Sequence, residues 1–290
     1  MELPLPRVSL GTFRAHGDDL KVAVDCAMTR AGIRSIDTAS IYRNEADIGE
    51  AIHRCIRDGI VSRQDVFITS KVSPHEMGTT KASAGVDGIL DRLGVEYVDL
   101  LLVHWPAASK LPLGSEKNAA LRKETWQVLE DRLRLGHARR IGVSNFTVDH
   151  LAELLEYAVI KPSCNQVECH PLYPQVALRR FCADHGVQVV AYSSFGAGAL
   201  LDAGAFPEVH AIARERRCSA AQVLLRWGLE KGVCVIPKSV VPGRILEYGR
   251  GELEAGSDGR YLSEAQEQRL DGMAARYGER KFCWDASGVR

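Results

Sequence analysis

No apolar run in the 290 residues approaches the ~18 positions of a membrane-spanning helix, so no membrane partner is expected. A surplus of one charge is missing too. The 37 Lys and Arg balance 37 Asp and Glu, and a chain of zero formal net charge has no broad field to draw nucleic acid or an anionic surface. No C-x-x-C pair occurs, and the eight cysteines, at 26, 55, 164, 169, 182, 218, 234 and 283, form no short-range Cys/His cluster of zinc spacing. A bound metal is therefore not expected, and the scattered thiols read as reduced. The opening residues show neither a basic-then-apolar leader nor an arginine-rich transit pattern, which with reduced thiols points to the cytoplasm.

What is present is ordinary globular chemistry: 46% hydrophobic and 26% charged residues exclude a disordered chain. Short runs rich in Val, Ile and Leu begin near Val8, Ile33, Val66, Val98, Arg139, Ser163, Val187 and Val233. Between them lie stretches with helical spacing, among them residues 45–57, 79–93, 119–135, 148–157 and 220–230. Strand and helix alternating eight times predict a (β/α)8 TIM barrel, and a chain of this length fills one. No linker-like composition break divides the sequence, so residues 1–290 read as a single domain with a tail from about 249. Residues 107–118 and the glycine-rich, charged residues 249–260 depart from the rhythm and read as surface excursions.

A barrel of this kind carries its chemistry just past the carboxyl ends of its strands. Those positions hold Asp37 with Tyr42, Lys71, His104, Ser144 with Asn145, Gln166 with Glu168, Tyr192 with Ser193, and Lys238 with Ser239. Singly, each has a bland reading as a helix cap, a solvated charge or a satisfied core histidine. Four of them together describe a proton donor and its support. A free tyrosine has a pKa near ~10, so its use at neutral pH needs a neighbour such as Lys71 that stabilises phenolate. An aspartate keeps that ammonium charged, and a histidine beside the phenol offers a hydrogen bond to a carbonyl oxygen. The set describes carbonyl reduction or alcohol oxidation.

The blocks Asp37-Thr38-Ala39-Ser40-Ile41-Tyr42-Arg43-Asn44-Glu45, Ser70-Lys71, Leu101-Leu102-Val103-His104-Trp105-Pro106, Ile141-Gly142-Val143-Ser144-Asn145-Phe146, Asn165-Gln166-Val167-Glu168 and Ile236-Pro237-Lys238-Ser239 occur in this order. In these the chain resembles the aldo-keto reductases over nearly its whole length. The resemblance implies Tyr42 as general acid, tuned by Lys71 and Asp37, with His104 orienting the carbonyl. It implies NADPH/NADP+ as cofactor. Ser144, Asn145 and Gln166 would hold the nicotinamide amide, and Tyr192 would stack on its ring. Lys238, Ser239 and Arg244 would meet the 2′-phosphate, with Gly11, Thr12, Ser193, Phe195, Gly196 and Glu247 completing the cofactor contacts. Phe13 and Trp105 would wall the carbonyl substrate beside Tyr42 and His104, joined by Trp284 where the tail allows. No Rossmann fingerprint is needed: in Gly196-Ala197-Gly198 the third glycine position falls at Leu201.

Two positions depart from the family pattern. Ser73 stands where a tryptophan is common, which predicts an open pocket favouring longer or branched carbonyls, and Tyr248 stands where an asparagine is expected near the adenine. A serine hydrolase is excluded, because Phe146 occupies the last glycine of G-x-S-x-G. The alternative from another class is a nucleotide-binding barrel with a regulatory or structural role. The expected partner is a small-molecule carbonyl, the expected state a monomer.

Overall fold

The computed structural model describes residues 4–249, 251–253, 259 and 261–290. Its strands are β1 (Leu10–Gly11), β2 (Ser35–Asp37), β3 (Phe67–Val72), β4 (Leu100–Val103), β5 (Ile141–Ser144), β6 (Cys164–Glu168), β7 (Gln188–Tyr192) and β8 (Cys234–Val235). They read as near-continuous apolar runs because a parallel strand inside a shell of helices is buried on both faces. All pair parallel in sequence order. The sheet then closes on itself: Ser9 N donates to Val235 O at 3.0 Å and Gly11 N to Pro237 O at 2.9 Å, joining β8 to β1 and leaving no edge.

Around the strands run α1 (Gly17–Cys26), α2 (Glu45–Arg57), α3 (Thr79–Leu93), α4 (Lys117–Arg134), α5 (Val148–Tyr157), α6 (Val176–Asp184), α7 (Pro207–Arg216), α8 (Ala220–Glu230), α9 (Pro242–Glu247), α10 (Glu264–Asp271) and α11 (Met273–Tyr277). Their boundaries have local causes. The Thr147 and Ser219 side chains cap α5 and α8, and α3 ends at Gly94, whose φ of +66° favours glycine. The eight predicted strands and the (β/α)8 barrel are present, and four of the predicted helices coincide with α2, α3, α5 and α8. The fifth, expected at 119–135, is α4, which starts earlier. Among the described residues no helix is long and apolar enough to cross a membrane. Of the expected excursion at 249–260, residues 250, 254–258 and 260 lie outside the described residues.

The main core lies between strands and helices, where Ile36, Ile68, Leu101 and Val143 meet Trp126 and Trp227. A second, smaller cluster of Leu100, Leu102, Cys164, Val190, Cys234 and Ile236 plugs the barrel interior. Side chains alternate faces along a strand, so the next inward positions above that plug are His104, Gln166 and Tyr192. An apolar floor with a polar rim follows directly from the period of two.

The helical shell is tightly seated at Gly49 in α2, where an added Cβ would lie 2.4 Å from the Leu93 carbonyl oxygen at the end of α3. Overpacking against backbone costs about 1–3 kcal/mol. Gly49→Ala is expected to lower the urea midpoint by a corresponding amount with the m-value unchanged. An unaltered midpoint would mean that the two helices separate freely.

Candidate active site

Asp37 closes β2, Lys71 lies in β3, and His104 follows β4 by one residue. Tyr42 ends a single 3₁₀ turn, Ser40–Tyr42, on the loop into α2. The Lys71 ammonium donates to Asp37 Oδ1 at 2.6 Å and to the Thr38 carbonyl at 2.7 Å. The lysine side chain has no solvent exposure and that of the aspartate 6%. Lys71 Nζ lies 5.1 Å from the Tyr42 ring centroid, and both its charge and its hydrogen bonding act on the phenol. Asn44 locks this loop: it donates to the Thr12 and Ala15 carbonyls, both at 2.9 Å, and accepts from Thr38 Oγ1 at 2.7 Å. Between Tyr42 and Asn44, Arg43 holds a left-handed φ of +55°, the kind of backbone strain that collects at functional sites.

Burial and charge set the protonation states. Burial alone would drive the Lys71 pKa down, but Asp37 and then Tyr42 overcome it, and the ammonium is held above its ordinary 10.5. Burial raises the Tyr42 pKa above 10.0, with Lys71 opposing and not cancelling the rise. The phenol is thus a retained proton with a cation beside it, ready for the phenolate that proton loss creates. Burial, then the Lys71 charge, push His104 well below 6.5, so its ring is neutral. His104 Nδ1 is buried without a partner among the described residues, and the ring meets Tyr42 edge-on, centroids 5.6 Å apart.

A second cluster adjoins this one. Gln166 Nε2 donates to Asp37 Oδ2 at 2.7 Å, linking β6 to the ion pair. Ser144 Oγ donates to the Gln166 carbonyl at 2.7 Å. Asn145 Nδ2 donates to the His104 carbonyl and to Ser144 Oγ, both at 3.0 Å, and the Tyr192 hydroxyl donates to Asn145 Oδ1 at 2.6 Å. Thr12 Oγ1 donates to the Asp37 carbonyl at 2.8 Å. Gly11 lies against β8, where a Cβ would stand 3.0 Å from Ile236 Cγ2.

The remaining sequence-derived residues lie along the rim toward β8 and α9. Ser193 accepts from the Ala197 amide at 3.0 Å, Gly196 has a φ of +55°, and Phe195 packs on the buried Tyr248 with ring centroids 5.9 Å apart. Lys238 and Arg244 are exposed and, among the described residues, their side chains have neither a hydrogen bond nor an ion pair. Ser239 is buried, and Glu247 lends its carbonyl to Gln222. Two cations unpaired among the described residues, on the rim that also carries the polar side chains of Ser144, Asn145 and Gln166, form a donor set that suits a phosphorylated dinucleotide.

Phe13 is half exposed and meets Tyr42 at 5.1 Å, whereas Trp105 leans on Trp284 at 5.8 Å. Ser73 does not open the pocket as expected. It is 3% exposed, and its amide donates to Glu76 Oε2 at 2.7 Å as the chain turns at Pro74. Sequence reasoning assigns no role to Asn44, nor to Glu168, which accepts the Phe282 and Cys283 amides. Both lie inside family-like blocks, but two of the four partners of Glu168 are backbone amides far along the chain, which leave no sequence signal.

A charged lysine buried beneath a phenol at the mouth of a closed parallel barrel equips a carbonyl oxidoreductase. The chain belongs to the aldo/keto reductase family, whose model, described as "Aldo/keto reductase family", matches residues 7–248. It is 41% identical over 244 residues to the glyoxal reductase of Bacillus subtilis, covering 84% of this chain and 82% of that one. The 9,11-endoperoxide prostaglandin H2 reductase of Trypanosoma cruzi is 39% identical over 246 residues, covering 84% and 81%. Among solved structures, the Bombyx mori aldo-keto reductase in complex with NADP superposes with a TM-score of 0.84 at 30% identity, over 97% of this chain and 92% of that one. This protein is an NADP-dependent oxidoreductase that reduces carbonyl groups with NADPH.

The two shifted groups set a pH window. Tyr42 retains its proton until the pH passes above 10.0, and His104 stays neutral until the pH falls well below 6.5. A pH profile of kcat/KM for carbonyl reduction is expected to stay flat between those two values. An inflection inside the window would contradict a protonated Tyr42 beside a neutral His104.

Proposed function

We propose that Tyr42 is the proton donor, and that the cluster of Asp37, Lys71, Tyr42 and His104 performs the chemistry. The buried Lys71–Asp37 pair under the phenol is the observation that carries this reading. NADPH, when bound, supplies the hydride to the carbonyl carbon. The neutral His104 ring donates a hydrogen bond that holds the carbonyl oxygen. Tyr42 gives its proton to that oxygen as negative charge develops, and Lys71 stabilises the phenolate left behind until solvent reprotonates it. Asp37 keeps the ammonium charged and in place, and Thr38 fixes its direction through the carbonyl.

In the same reading Ser144, Asn145 and Gln166 hold the nicotinamide amide, and Tyr192 lies on its ring. Lys238, Ser239 and Arg244 receive the 2′-phosphate; Gly11, Thr12, Ser193, Phe195, Gly196 and Glu247 line the path between. Phe13 and Trp105 flank the carbonyl. Small aldehydes and dicarbonyls are the first substrates to screen, in view of the glyoxal reductase relative. The balanced charge supports a chain without a nucleic-acid partner and the eight free thiols a cytoplasmic setting, and family membership supports a monomer, with residues 1–290 acting as one unit and a tail from about 249.

Tyr42→Phe removes one hydroxyl and is expected to lower turnover by about 10²–10⁴-fold, with the NADPH dissociation constant nearly unchanged in a fluorescence titration. A variant that keeps near-full reduction would refute the assignment, and no NADPH consumption with any carbonyl would favour a regulatory nucleotide-binding barrel. Removing both charges at Lys238 and Arg244 is expected to weaken NADPH far more than NADH, since charge-assisted bonds to phosphate are about twice as strong as neutral ones. Equal losses for the two cofactors would show that these side chains do not read the phosphate.

A further inference from the structure

Glu168 ends β6 two positions beyond Gln166, so the two side chains face the same way. Its carboxylate is fully buried yet has no place in the proposed proton and hydride transfer. It accepts from His170 Nε2 at 3.0 Å, from the Phe282 amide at 2.7 Å and from the Cys283 amide at 2.9 Å, and faces Lys281 Nζ at 3.4 Å. Burial pushes its pKa up, but these donors more than reverse the effect and hold it at about 2. Three of the four come from residues 281–283, more than a hundred positions along the chain. The Arg280 amide adds a bond to the Leu172 carbonyl at 2.8 Å.

A second fastening lies farther along. His150 Nε2 meets the Val289 carbonyl at 3.1 Å, Arg122 Nη1 the Arg290 carbonyl at 2.9 Å, and the Arg290 amide the Leu113 carbonyl at 3.0 Å. Between the two fastenings the chain arches over the barrel mouth. Asp285, Ala286 and Ser287 border a cavity of about 360 Å³ that reaches Asn145, while Ala286 and Val289 pack with Ala107 and Trp105. Trp284 stands on Trp105, and Phe282 presses on Gly196. Where residues 281–283 sit therefore decides what faces the carbonyl.

We propose that Glu168 is a positioning residue for substrate: by gripping residues 281–283 it sets Trp284 against Trp105 and fixes the wall on which the body of the carbonyl compound rests. The inference builds on the proposed function, which places the substrate beside Trp105. It concerns apolar or aromatic carbonyls large enough to reach the paired indoles, and it assigns Glu168 no contact with substrate or cofactor.

Glu168→Gln keeps the shape and turns one acceptor into a donor that opposes a backbone N–H. Leaving such a donor unpaired corresponds to roughly tenfold in an equilibrium. Amide exchange at Phe282 and Cys283 is expected to rise about tenfold, and KM for a bulky aromatic aldehyde to rise by a similar factor. The kcat and the NADPH dissociation constant should stay nearly unchanged, a split that a general loss of structure would not give. Glu168→Asp, which keeps the charge, should recover part of the lost KM. Should Glu168→Gln fail to fold, the exposed Trp284→Ala removes the wall without touching the grip and should raise the same KM. Faster exchange with an unaltered KM overturns this inference alone, as does a uniform fall in kcat together with weaker NADPH binding. Wild-type protein that reduces no carbonyl overturns the proposed function, and this inference with it.

Discussion

Everything at the mouth of the barrel depends on a lysine that has lost all its water. An ammonium with no solvent exposure is tolerable only with an anion in contact, and breaking such a pair by removing one partner costs about 3–5 kcal/mol. Asp37 and the Thr38 carbonyl provide that contact, and the loop carrying them is also the loop that delivers Tyr42. Removing the carboxylate would therefore disturb charge, loop and phenol together. The pair reaches farther through Gln166, which ties the same aspartate to the strand whose end grips the tail.

Burial works differently on each group it touches. It favours the neutral form, so by itself it would strip the lysine of charge, keep the tyrosine protonated and keep the histidine neutral. Only the lysine has an anion placed to reverse this. The outcome is one fixed ammonium among neutral donors, an arrangement suited to a reaction whose transition state gathers negative charge on oxygen. A low dielectric and a fixed direction of charge do together what no individual residue type would do in water.

Much of this was legible in the sequence because barrel geometry turns position after an apolar run into position at a rim. Asp37, Lys71 and His104 could be read that way, and Tyr42 through its spacing from Asp37. α2, α3, α5 and α8 matched their expected bounds because capping residues and amphipathic spacing mark helix ends. Strand starts moved by one or two residues, since a continuous apolar run does not announce where pairing begins. Ser73 misleads for a local reason: two residues beyond Lys71 it would share the inward face of β3, but the strand ends at Val72 and the chain turns at Pro74. The grip of Glu168 was invisible because amide hydrogens are the same in every residue, and those it binds lie 114 and 115 positions away.

The closure between β1 and β8 also has a consequence for the order of assembly. Each earlier seam joins strands that follow one another along the chain, and it forms once the one or two helices between them have folded back. The last seam joins the two ends: Arg7 reaches the Leu229 carbonyl across 222 positions. A chain emerging from the ribosome can lay down seven strands as an open, curling ribbon, yet it has no bowl until the eighth arrives. Gly11 and Lys238 face each other across that final seam. The stretch of rim that carries Lys238 is thus completed only when most of the chain has been made.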